Sequence, residues 1–185
     1  MKTYLDVPKW SGIENIREAG DCGIVECANV LNFWNALRGQ PGTVSAAEDL
    51  ANYHKANGWR KCDPSTDRGI ILETFIQDWC RQGWFGDPYL TPRGYEPVTD
   101  RVAGLKRFGV LAASVALTET ESFGDDALVL PPKSGHGVCM AAPLIIVTWT
   151  KLQGYSEAWW AKFGRQMFGL IPPAGMLPPG SIEVA

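Results

Sequence analysis

The chain has 185 residues, 45% of them hydrophobic and 20% charged, with 20 Gly and 13 Pro. That length suits one domain with a sizeable core, and the composition excludes a disordered chain and a coiled coil. Seventeen basic against twenty acidic residues leave a net charge of −3 with no basic run, which disfavours a nucleic-acid binder relying on phosphate neutralisation.

In chain order, Met1 to Ser11 contains no apolar core of a signal peptide, so secretion by that route is not expected. A helix is predicted from Asp21 or Cys22 to about Leu37, with Asp21 as its cap. Its apolar residues (Ile24, Val25, Ala28, Val30, Leu31, Phe33, Trp34, Leu37) cover most of the circumference, the signature of a helix inside a domain. Ser45-Ala-Ala-Glu48 reads as a capping box for a second helix ending near Gly58. A third follows Thr66-Asp67, with Leu72, Phe75, Ile76 and Trp79 on one face and Gly83 as its stop. A short helix from Asp100 to Phe108 leads into a strand from Val110 to Thr118. Glu119 to Gly135 reads as an exposed loop. Strands follow at His136 to Ala142 and Leu144 to Trp149, broken at Pro143. A helix starts at Ser156, and a last strand spans Met167 to Ile171. Helices dominate the first half and strands the second, which predicts an α+β fold. One domain over residues 1–171 and a Pro/Gly-rich tail over 172–185 complete the expected organisation. The longest apolar run, Val138 to Trp149, is too short to span a bilayer, so no membrane partner is expected.

Five cysteines with no C-x-x-C pair point to free thiols in a reducing compartment. With two histidines, no zinc-type cluster forms, and neither metal nor cofactor is expected. Glu119, Glu121, Asp125 and Asp126 lack calcium-loop spacing and read as a solvated acidic loop. His54 shares a helix face with Ala47, Leu50 and Ala51 and reads as a partly buried packing residue. Cys27, Cys62, Cys80 and Cys139 read as core or incidental.

Cys22 is different. Within Gly20-Asp21-Cys22-Gly23 it opens the buried helix, where unpaired N–H groups and the positive end of the helix dipole favour thiolate. The opposing reading is a small buried hydrophobe at the start of a core helix. His136, between Gly135 and Gly137 at a strand start, has room to meet a thiol from another element. Alone, a histidine there is more often structural.

Taken together, Gly20-Asp-Cys22-Gly-Ile-Val-Glu-Cys-Ala and Gly135-His136-Gly-Val resemble the nucleophile and general-base motifs of the papain-like superfamily. Val147-Thr148-Trp149 falls where that family has Asn-Ser-Trp. More closely, the chain resembles a group of phage and prophage proteins with a papain-like fold. That resemblance is carried by Gly20-Asp-Cys22, Thr66-Asp-Arg-Gly69, Arg107-Phe-Gly109, Gly135-His136 and the stretch from Val147 to Trp160. It implies a central buried helix packed on an antiparallel sheet, with Cys22 as nucleophile and His136 as base. Thr148, or Val147, stands in the place of the family's orienting Asn. The oxyanion-hole Gln is replaced by Ile16, with Asn15 beside it as the candidate donor. Losing one such donor costs roughly 10²- to 10³-fold in turnover.

Three functions fit this reading. The first is a cysteine peptidase or amidase associated with the virion, acting on a peptide or protein. The second is a virion structural or assembly protein on the same scaffold with a weak or vestigial site. The third is a module that holds a peptide without cleaving it. The expected partners are phage virion proteins, with oligomerisation in an assembly, or a peptide substrate. The expected location is the virion or the host cytoplasm.

Overall fold

A computed structural model describes residues 20–39, 46–60, 63–83, 90–117, 121–123, 126–128, 134–148 and 151–176. These residues form an α+β fold of five helices and a six-stranded antiparallel sheet, with a separate two-stranded hairpin. The helices are α1 (Cys22–Leu37), α2 (Ala46–Asn57), α3 (Leu72–Gln82), α4 (Arg101–Phe108) and α5 (Glu157–Phe163). The strands are β1 (Gly94–Pro97), β2 (Leu111–Leu117), β3 (Glu121–Phe123), β4 (Asp126–Leu128), β5 (Ser134–Ala142), β6 (Ile145–Thr148), β7 (Lys151–Gly154) and β8 (Gly164–Ile171). The sheet order is β1-β8-β2-β5-β6-β7, and β3 pairs only with β4.

The sheet separates two cores. Strand alternation sends Ala112, Cys139, Ala141, Val147, Phe168 and Leu170 to one face. There they meet α1, whose Ile24, Cys27, Leu31 and Trp34 are fully or almost fully buried. The second face carries Leu111, Ala113, Val115, Val138, Met140, Ile146 and Met167, closed by Phe108 of α4 and Phe163 of α5. Alanines on β2 and β5 let the first face approach α1 closely. Outside α1, α3 adds Phe75, Ile76 and Trp79, with the Trp79 and Trp34 rings 6.0 Å apart.

Several boundaries differ from the sequence reading, each for a tertiary reason. Helix α3 begins at Leu72 instead of after Asp67, because Asp67 is committed elsewhere. Its Oδ1 accepts from the Gly20 N–H at 2.9 Å and from the Tyr53 hydroxyl, and Gly69 then turns the chain at φ 63°. A single 3₁₀ turn, Pro64–Thr66, precedes it. The expected loop from Glu119 to Gly135 contains β3 and β4, which pair antiparallel, and β5 already starts at Ser134.

The edge strands β1 and β7 were not foreseen. Both are short and partly exposed, and backbone pairing to β8 and β6 defines them more than any side-chain pattern. His54 is exposed on α2, with Nδ1 at 2.6 Å from the Trp59 carbonyl, while Asn52 and Tyr53 take the buried face. Asp21 holds the cap position of α1 through its backbone only: its carbonyl accepts from Ile24 and Val25 N–H groups, and its side chain makes no cap bond.

The Arg93 side chain donates to the Pro172 carbonyl at 3.0 Å, and Met176 is buried against the α1 side of the core. Ser45, Cys62, Trp149 and residues 177–185 lie outside the described residues. No helix among the described residues is long and apolar enough to cross a membrane.

Candidate active site

The site assembles where the first turn of α1 meets the start of β5. Gly137 makes that approach feasible: a Cβ there would fall onto Glu26 Oε2 and 2.8 Å from the Cys22 carbonyl oxygen. With no side chain in the way, the Gly137 N–H donates to Cys22 Sγ at 3.3 Å. Cys22 itself is half-buried. Behind it, Gly20 is held by Asp67, the Tyr53 hydroxyl accepts from the Gly69 N–H at 3.1 Å, and Asn57 donates to the Gly69 carbonyl at 2.9 Å. This network ties α2 and the 63–71 segment to the residues just before the thiol. The Ile70 side chain lies against Gly23, in space that a Cβ there would claim.

His136 is 6% exposed, and its Nε2 lies 2.9 Å from Thr148 Oγ1, a hydroxyl that is equally buried. Thr148 shares its face of β6 with Ile146, whereas Val147 points to the α1 side. Thr148 is therefore the one of the two that meets the imidazole. Alternation along β5 likewise sets His136 with Val138 and Met140, and Gly137 with Cys139. Thiol and imidazole thus approach the end of β5 from its two faces, one residue apart. Asn15 lies outside the described residues.

The ionisation of the pair departs from what a helix N-terminus alone predicts. Burial pushes the Cys22 thiol up to about 12. The N–H groups of Gly137 and Gly23 work against that shift, and the Glu26 and Asp21 carboxyls reinforce it. Burial likewise lowers His136 to about 4. Both groups are neutral at pH 7. Desolvation outweighs the helix dipole because a partial charge at a helix end offsets only a fraction of the cost of burying an ion.

Glu26 went unnoticed in the sequence. It is 2% exposed, one helical turn beyond Cys22, and neither carboxyl oxygen has a hydrogen-bond partner. Burial holds its carboxyl well above the usual range, with the Val138 N–H opposing. A charged residue at i+4 from a candidate nucleophile, inside an otherwise uncharged helix, was the available signal.

No family model matches the chain, and no curated protein matches it. Among the described residues, no group of three or more His, Cys, Asp or Glu is arranged to hold a metal ion. A groove between α2 and α3, over Phe75 and Trp79 with Asn52, Lys55, Asp78 and Gln82 at its sides, lies apart from this site.

Proposed function

We propose that the chain is a phage-encoded cysteine hydrolase, a peptidase or amidase, on a papain-like scaffold. One observation carries the reading. Thr148 Oγ1 engages His136 Nε2 at the position the family gives to its orienting Asn, and the next residue, Gly137, holds Cys22 Sγ. Accepting from Nε2–H, the threonine fixes the tautomer whose Nδ1 lone pair takes a proton.

The chemistry then proceeds from neutral partners. As Cys22 Sγ bonds to an amide carbonyl carbon, its proton passes to His136 Nδ1. The imidazolium gives that proton to the leaving amine as the C–N bond breaks, leaving a thioester. Water attacks the thioester with His136 again as base, releasing the acid and restoring the thiol. The first N–H groups of α1, which have no intrahelical partner, are suited to the developing oxyanion. Substrates in this reading are a virion protein, a host protein or a peptidoglycan peptide, met in the virion or the host cytoplasm.

A second reading has its own support. A thiol pushed up to about 12 and an imidazole lowered to about 4 are both unactivated at rest, and Thr148 brings no charge to stabilise an imidazolium. That state suits a virion structural or assembly protein whose site is weak or vestigial.

Site-resolved alkylation with iodoacetamide at pH 7, read by mass spectrometry, separates the two. The hydrolase reading expects Cys22 to outpace Cys27, Cys80 and Cys139 and to slow about tenfold in His136→Ala, because the base assists each deprotonation. Equal rates at all four cysteines, unchanged in the variant, would leave only the structural reading, which expects normal particle assembly with Cys22→Ala.

A further inference from the structure

Among the described residues, Glu26 is a buried ionisable carboxyl with no hydrogen-bond partner on either oxygen and no part in the chemistry above. Buried polar groups are nearly always satisfied, so an orphaned carboxyl at an interface this tight calls for a role. Its surroundings are specific. Cys22 lies one turn before it on the same helix face, with Asp21 adjacent. From β5, Gly137 leaves the space that Oε2 occupies, the Val138 N–H points toward the carboxyl, and the Cys139 thiol donates to the Glu26 backbone carbonyl at 3.4 Å. Cys27 follows it on α1, and His136 precedes Gly137 on β5. Asp67, on the segment packed beside Gly20, is engaged by Tyr53 and the Gly20 N–H. Among the described residues, no cation pairs with Glu26.

We propose that Glu26 is a positioning residue that sets when Cys22 can ionise, thiol and carboxyl losing their protons as one coupled unit. The physical basis is like charge in a dry interface. Burial favours the protonated form of each group, the thiol and the carboxyl alike. Once either group has lost its proton, its charge opposes ionisation of the other, four residues away on α1. The thiol is therefore withheld until substrate or a partner changes the burial of this corner. Such pairs titrate in two steps that belong to the pair, and the effect of each group on the other is reciprocal.

The inference concerns the same thiol as the proposed hydrolase and requires no turnover. Its test is the pH profile of Cys22 alkylation in the wild type and in Glu26→Gln, an isostere that cannot ionise. We expect the Gln variant to react with a midpoint lower by about one pH unit, ~tenfold faster on the rising limb. The wild-type chain supplies an independent reading, since the Glu26 side-chain ¹³C shift reports its ionisation directly. In the wild-type chain that profile carries a second inflection where Cys22 ionises, which Cys22→Ala removes, whether or not Glu26→Gln folds. Superimposable Glu26 titrations in wild type and Cys22→Ala would overturn the proposal, as would superimposable alkylation profiles. His136→Ala, run alongside, keeps the two ideas apart. A Cys22 rate indifferent to His136 but sensitive to Glu26 removes the hydrolase and leaves the coupling, and the opposite pattern does the reverse.

Discussion

On the face of the sheet that carries α4 and α5, local rules are followed closely. Asp100 caps α4 by accepting from the Val102 and Ala103 N–H groups, Ser156 caps α5 by accepting from Trp159, and Gly109 ends α4 in the left-handed conformation. The core beneath is apolar, built from Phe108, Leu111, Val138, Met140 and Phe163, and an Arg101–Glu157 ion pair closes the rim. On the α1 face those rules are broken. Helix α1 has no side-chain cap, buries Glu26, Asn29 and Asn32 among its apolar residues, and starts at a half-buried thiol. Proteins break such rules chiefly at functional or strained sites. The contrast marks off the thiol's side of the candidate site, while His136 and Thr148 belong by strand alternation to the other face.

Three perturbations test that contrast, in decreasing order of effect. Trp34 is fully buried at the centre of the α1 face, and truncation to Ala leaves a cavity that neighbours fill only in part. We expect a loss of about 3–5 kcal/mol, read as a drop in the urea midpoint. A loss under about 1 kcal/mol would mean that α1 is not the keystone of the larger core.

Next comes the buried imidazole. With His136 near 4 when folded and 6.5 in its unperturbed form, the unfolded chain binds the extra proton between those values. Stability from this group is therefore complete above about pH 6.5 and declines as pH falls toward 4, by of order 3 kcal/mol. Chemical denaturation from pH 8 to pH 4 should show that decline, and His136→Gln should flatten it. An equally steep acid limb in the variant would assign it to other groups.

Smallest is the scaffold cap. Asp100→Ala should cost about 1 kcal/mol and leave Cys22 alkylation unchanged. Any change in Cys22 reactivity would show that the two faces communicate, and the separation drawn above would fail.

Much of the fold was legible because its elements carry local signals. The continuous apolar surface of α1, the stops at Gly58, Gly83 and Gly109, and the caps at Asp100 and Ser156 are all written in neighbouring residues. The edge strands β1 and β7 were not legible, because their backbone partners on β8 and β6 define them more than a period of two. The late start of α3 was hidden for a related reason, since a residue that reads as a helix cap was spent on Gly20 and Tyr53.

At the site, the residue types came from the sequence: a cysteine opening a buried helix, a histidine between glycines at a strand start, and Val147 or Thr148 beside it. The tertiary structure decided which of those two meets the imidazole, that Gly137 is where helix and strand touch, and that a buried carboxyl lies under the thiol. It also decided the ionisation of the pair. A helix N-terminus and a histidine promise a reactive thiolate only while water can reach them. How much water is excluded depends on residues more than a hundred positions apart closing over one another, which no local pattern records.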